Sequence, residues 1–302
     1  MVGTARRVRL CPPYEDRFSI TSEIIAPGRF SVQFGEVPDD GPSQYGDMNM
    51  NRQTALNALA DSTALPASQT STQSGPFITA KDGTRLFVQQ WGGGRPILFV
   101  SAWTLNSDFW GTHLQAMATA GFQGIAFDRR GHGRSDSPSY GYDADMLADD
   151  LAVVVESLDV RDIVLVSHSM GSGEVARYLT RHGSERVAKL VFVAPTTPYL
   201  VKTEDNPDAV PEEMLDARLA AIAKNFPEWV RDNEAPFFTA ETDSETRAWI
   251  KAMMLGVSVP VAVTFQQLAG KTDFRPDLKR IELPTLVLHG DNDASAPLPL
   301  SI

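Results

Sequence analysis

Asp162-Ile-Val-Leu-Val-Ser-His-Ser-Met-Gly-Ser-Gly173 decides how this chain is read. The apolar run Ile163 to Val166 stops at a small polar cluster, and a helix-like pattern opens with Glu174, Val175, Ala176 and Arg177. Strand, sharp turn and helix in that order make a nucleophile elbow, in which a serine sits on a strained turn with its hydroxyl clear of the sheet. Ser169 is the candidate nucleophile. The turn brings strand and helix backbones close together, so small residues are needed on both sides; Ser167 and Gly171 supply them. A plain strand-to-helix turn would carry the same pattern, so the rest of the chain has to decide.

The chain has 302 residues, enough for one large domain or two small ones, and its 42% hydrophobic content suffices for a sizeable core. A net charge of -11 argues against a nucleic-acid partner, which would attract a basic surface. Cys11 is the single cysteine, so neither an intrachain disulfide nor a cysteine-built metal site can form. No apolar run reaches the length of a membrane span, and the N-terminus lacks the apolar core of a signal peptide. A cytoplasmic location is expected by default.

Outward from the elbow, residues 1–75 are rich in Pro, Gly, Ser, Thr, Asp and Asn and show little periodicity, so they read as a low-order extension with at most a short helix over 53–60. Order is expected from Phe77, with a hairpin turning at Asp82-Gly83. Ile97 to Val100 and Gly124 to Asp128 are continuous apolar runs, as expected of strands buried on both faces. Leu147, Leu151, Val154, Val155 and Leu158 share one face of a helix predicted over 142–158. A second helix is predicted over 171–182 and further strands at Leu190 to Val193 and Thr285 to Leu288. This alternation predicts an α/β fold with a mainly parallel sheet and helices on both faces, the elbow lying at the edge where the strands end. From 199 to 275 the alternation stops. Helix-like segments there carry Met214, Phe226, Trp229, Trp249, Met254 and Phe265, the pattern of a helical cap inserted between two parts of a core, 76–198 and 276–302. The aromatics read singly as cap core and together as the wall of an apolar pocket over Ser169.

Six stretches in this order resemble the α/β-hydrolase family, and more narrowly the cofactor-free bacterial haloperoxidases, which are esterases and perhydrolases by chemistry. They are FDRRGHGRSD at 127–136, VSHSMGSGEVARYLTRHG at 166–183, VAPTTP at 193–198, KTEDNP at 202–207, TDF at 272–274 and PTLVLHGDND at 284–293. The resemblance implies Ser169 as nucleophile, Asp293 as triad acid, and the backbone N–H groups of Trp103 and Met170 as the oxyanion hole. Losing one such donor costs roughly 3 kcal/mol of transition-state stabilisation. Asp291 is the competing carboxylate, read as a cap of its turn, and Pro297 stands where the family has a proline. The family usually has His-Gly ahead of the oxyanion-hole aromatic, where this chain has Ser101-Ala102, and alanine restricts the backbone more than glycine does. No cofactor and no metal are implied.

The triad histidine is the departure. In this fold it follows the acid along the chain, yet His113, His132, His168, His182 and His289 all precede Asp293. Structural or surface roles are expected of all five. The expectation is of a C-terminally truncated product with the last strand and helix missing, its activity impaired by the loss of the base and Thr285 to Leu288 left as an apolar sheet edge prone to association. The implied chemistry is acyl transfer from small carboxylic esters through Ser169 to water or to peroxide. A non-catalytic small-ligand-binding module on the same fold is the alternative.

Overall fold

The computed structural model describes residues 76–207, 209–290 and 292–296 in full and residues 6–10, 19–26 and 29–35 by backbone alone. The helix expected over 53–60, Asp291 and Pro297 lie outside the described residues. Among the described residues ten strands form one sheet: β1 (Arg6–Leu10), β2 (Ser19–Ala26), β3 (Arg29–Gly35), β4 (Phe77–Thr79), β5 (Arg85–Gly92), β6 (Pro96–Val100), β7 (Gln123–Phe127), β8 (Ile163–His168), β9 (Val187–Val193) and β10 (Thr285–Leu288). Their order is β3-β2-β1-β10-β9-β8-β6-β7-β5-β4. The stretch β10-β9-β8-β6-β7 is parallel throughout.

The hairpin β4–β5 turns where the sequence places it. Gly83 adopts φ +92°, a conformation favoured only for glycine, and Asp82 Oδ1 accepts from Thr84 N at 3.0 Å. Every residue of β6 is buried, as its uninterrupted apolar run demands. Helices α1 (Gly111–Thr119), α2 (Ala144–Ser157) and α3 (Gly171–His182) cross between the parallel strands. Asp143 starts α2 by accepting from Met146 N at 2.8 Å. Gly183, at φ +79°, ends α3 by donating to Leu179 O. Leu98, Val100, Ile125, Leu151, Val155, Leu165 and Val175 fill the layer between the sheet and α2–α3.

Two findings differ from the sequence reading. Residues 6–35 contain three strands that the composition does not announce, and β1 lies antiparallel along β10, pairing Arg9 with Val287 and Leu10 with Leu286. Thr285 to Leu288 is therefore not an edge, because β1 takes up the backbone groups that an open edge would expose. Strand β9 also begins at Val187 rather than Leu190, since Val187 is buried ahead of the continuous run. Between β9 and β10 the chain is helical: α4 (Glu212–Lys224), α5 (Phe226–Asp232), α6 (Ser244–Leu255), α7 (Val259–Lys271) and α8 (Arg275–Leu278). Among the described residues no single helix is long and apolar enough to cross a membrane.

Parallel register aligns the strand ends. Val100 lies one step beside Ser167, and His168 and Leu288 both pair with Val193. The loops after β6, β8, β9 and β10 therefore leave the sheet along one edge, where ligands bind in open α/β sheets.

Candidate active site

Trp103 lies in the loop after β6, Ser169 and Met170 in the turn after β8, and Asp293 in the loop after β10. The fold thus brings the sequence-predicted residues to one edge although they are separated by up to 190 positions. Ser169 has φ +53°, in the left-handed region that costs a non-glycine residue about 1–2 kcal/mol. Neighbouring bonds hold it there: Ser169 N donates to Val193 O at 2.9 Å, and Ser169 O accepts from Ser172 N at 3.1 Å. The strain is testable. Ser169→Gly is expected to be more stable than Ser169→Ala by about 1 kcal/mol in urea unfolding, since glycine alone adopts this φ freely.

Small residues close the elbow for the reason the sequence suggests. A Cβ on Gly171 would lie 2.9 Å from Ser101 O and 3.0 Å from Val100 O, and one on Gly173 would lie 2.5 Å from the Phe274 ring. Ser167 is fully buried, its hydroxyl 3.2 Å from that of Ser172. Phe274 belongs to the TDF stretch at 272–274, so that stretch packs directly on the elbow helix.

Among the described residues neither the Trp103 nor the Met170 N–H is taken up by a hydrogen bond. The Trp103 side chain is committed elsewhere. Its Nε1 donates to Ala262 O at 3.0 Å, and its rings meet Phe226 and Trp229 edge-on at 5.9 and 5.4 Å. Ile222, Phe226, Val230, Met254, Val261 and Phe265 from α4 to α7 share one buried cluster with Trp103 and Met170. These aromatics are core, and the helical segment is packed onto the strand edge by them. Met214 and Trp249 remain exposed. A cavity of about 10 Å³ beside Met170 is lined by Leu147, Gly173, Thr196, Leu268 and Phe274, and Ser169 is not part of its wall.

Asp293 Oδ1 accepts from Ser295 N at 2.8 Å, from Ser295 Oγ at 2.9 Å and from Ala296 N at 2.8 Å. It thereby caps its own turn, the role the sequence suggests for Asp291. Its Oδ2 lies 3.9 Å from His289 Nε2, and that nitrogen also meets Ala296 O at 2.5 Å.

Among the described residues no histidine nitrogen is hydrogen-bonded to the Ser169 hydroxyl. His168 precedes Ser169 and stacks on Phe109 with ring centroids 5.5 Å apart; its Nδ1 is buried without a partner. Burial brings this imidazole down to about 4, against the pull of Asp293 and with a push from Arg129. His132 Nδ1 donates to Arg130 O at 3.0 Å, and the ring stands edge-on to Phe265 and is brought down to about 3 by burial. His113 packs edge-on to Trp110, and burial lowers it as well. His182 Nε2 meets Asp149 Oδ1 at 2.7 Å at the far end of α3. Among the described residues, His113, His132 and His168 thus pack against aromatic rings, and His182 meets a carboxylate. No group of three His, Cys, Asp or Glu side chains among the described residues is arranged to hold a metal ion.

Sequence reasoning missed a set of buried ions under this edge. Arg129 pairs with Glu174, and Arg130 pairs with Asp150 and Asp82. Adjacent arginines at 129–130, just after the buried apolar run 124–127, are the one signal that could have pointed there.

A sequence profile described as alpha/beta hydrolase fold matches residues 95–249. The chain belongs to the α/β-hydrolase fold family. It is 40% identical over 230 residues to a non-heme chloroperoxidase of Kitasatospora aureofaciens, spanning 74% of this chain and 83% of that one. It is 38% identical over 237 residues to a bifunctional esterase/perhydrolase of Acinetobacter calcoaceticus, covering 74% and 84% of the two chains. Among solved structures, an esterase from Exiguobacterium antarcticum superposes with a TM-score of 0.73 at 27% identity, over 76% of this chain and 85% of the other. The relatives' names join esterase and haloperoxidase activities on one α/β-hydrolase scaffold, and the haloperoxidase-like narrowing made from the sequence motifs agrees with them.

Proposed function

We propose that this α/β hydrolase is a serine acyl-transfer scaffold for small carboxylic esters. Ser169 Oγ attacks the ester carbonyl carbon, the Trp103 and Met170 N–H groups receive the oxyanion, and the alkoxide leaves with a proton. Water then attacks the acyl-Ser169 carbonyl to give the acid, or hydrogen peroxide does so to give the peracid, and Ser169 regains its proton. A peracid oxidises halide without a metal, which fits relatives named both for esterase and for non-heme peroxidase activity. Asp293 serves as the acid that would orient an imidazole, using Oδ2, since Oδ1 is occupied by the turn. The helical segment 199–275 acts as the cap that selects the acyl group. The observation that carries the reading is the left-handed Ser169 beside two unused N–H groups.

Among the described residues no histidine is hydrogen-bonded to Ser169 Oγ, and a serine without its base is a weak nucleophile. Turnover of p-nitrophenyl acetate by the chain is therefore expected to be low and to rise with added imidazole in the wild type beyond the rise seen for Ser169→Ala. The same observation favours a second reading, a small-ligand-binding module with no activated serine. Labelling by a fluorophosphonate probe separates the two. Labelling of the wild type and not of Ser169→Ala supports acyl transfer, and no labelling with or without imidazole moves the binding module to the front.

A further inference from the structure

Arg129 follows β7 and is 2% exposed, yet every bond it makes is directed at the loop after β6 or at α3. Nε donates to Glu174 Oε2, Nη1 to Ala102 O at 3.2 Å and Nη2 to Ser101 O. The Ala102 carbonyl and the Trp103 N–H belong to one peptide unit. In a planar trans peptide these two groups point in opposite directions. Ala102 O also accepts from Leu105 N at 3.3 Å, and the guanidinium, reaching both Ser101 O and Ala102 O, adds the side-chain hold that fixes the direction in which the Trp103 N–H points.

Glu174 controls the other side. It lies in the first turn of α3, four residues after Met170, whose N–H is the second free donor. The backbone around Gly171 sits directly against Ser101 O and Val100 O. The pair thus clamps the Trp103 peptide to the helix that begins just after Met170. Its cost argues against a role in stability alone. Glu174 Oε1 is buried without a partner, and a buried ion pair contributes little more to folding than a hydrophobic pair of the same volume. What a hydrophobic pair cannot supply is a planar fork that orients two carbonyls and a carboxylate at once.

We propose that Arg129 and Glu174 are positioning residues that set the angle and separation of the two oxyanion donors. This rests on Trp103 and Met170 being those donors. It also gives Ala102 a context: where the loop lacks the usual glycine, its peptide geometry is imposed from behind by Arg129.

The test compares wild type, Arg129→Lys, Glu174→Gln and the paired Arg129→Met/Glu174→Leu, with melting curves taken for each. The first readout is the rate of Ser169 labelling by a fluorophosphonate. The second is amide hydrogen exchange at Trp103 and Met170, followed by NMR. The paired variant, which leaves no lone buried charge, is expected to melt cooperatively and to label about tenfold or more slowly, in keeping with a misplaced oxyanion donor. Arg129→Lys is expected to slow similarly, because an ammonium cannot hold both carbonyls. Glu174→Gln, which keeps an acceptor for Nε, is expected to fall between. Trp103 exchange should quicken in the paired variant. A folded paired variant with wild-type labelling and unchanged exchange overturns the proposal. If the wild type does not label, the acyl-transfer reading falls, and exchange at Trp103 still decides the positioning role: quickened upholds it, unchanged overturns it.

Discussion

Arg130→Met is expected to destabilise the fold by about 3–5 kcal/mol, the cost of leaving one partner of a buried ion pair uncompensated. Arg130 is fully buried and its guanidinium is shared. Nε and Nη2 grip Asp150 at 2.6 and 2.7 Å, and Nη1 reaches Asp82 at 2.9 Å. One side chain therefore ties α2, the loop after β7 and the turn of the β4–β5 hairpin. Burial raises the Asp150 carboxyl against the pull of Arg130. Burial would raise Asp82 as well, but its bonds to Arg130 and Thr84 outweigh that and bring it down to about 2. Without Arg130, Asp150 stays 2% exposed and must either remain charged in an apolar surround or take up a proton. Arg130→Met paired with Asp150→Leu removes both charges and is expected to recover most of the loss. Urea unfolding of both variants checks this. A loss below about 1 kcal/mol for Arg130→Met would show that the pair is not holding these elements together.

The parts of the fold legible in the sequence were those set by local patterning. The Asp82-Gly83 turn, the all-buried β6, the apolar face of α2 and the elbow at Ser169 follow from residue types within a dozen positions of one another. The parts that escaped depend on distant partners. Arg129 meets Glu174 across 45 positions and Arg130 meets Asp150 across 20, and nothing in one sequence says which charges will be buried together. The pairing of β1 with β10 joins residues some 275 positions apart, and in Arg6-Arg-Val-Arg-Leu10 the alternation of Val8 and Leu10 with arginines is too short to mark a strand by itself. Asp293 shows the same limit at the scale of the site. Its spacing after β10 could be read, but that one oxygen would be spent on Ser295 and Ala296 could not. The cap aromatics show it too, since Phe226 and Phe265 proved to be packing partners of Trp103 and Met170 in one cluster.

Acidification from pH 7 to 5 is expected to cost about 4 kcal/mol of folding stability, from two histidines alone. His168 and His132 are held down to about 4 and about 3 by burial, while in the unfolded chain each titrates near 6.5. Between those values the unfolded chain binds protons that the folded chain does not, so stability rises with pH through this window and falls as pH drops below about 6.5. At roughly 1.4 kcal/mol per pKa unit, each contributes about 2 kcal/mol at pH 5. Burial lowers His113 as well, which adds to the loss with the same sign. Carboxylates held down by partners, such as Asp82 at about 2, lose their contribution only below the usual carboxylate range, so the two effects separate on the pH axis. Against a typical total of about 5–15 kcal/mol, the histidine term is a large fraction of the stability and is expected to lower the urea midpoint clearly in mild acid. Urea unfolding at pH 7.5, 6.5, 5.5 and 5.0 measures it, and His168→Gln should remove about half of the slope. Stability that stays flat from pH 7 to 5 would mean these rings reach water or a partner in the folded state. The location of the strain matters for function. His168 is the residue before Ser169 and is stacked on Phe109, so its protonation would press first on the turn that carries Ser169.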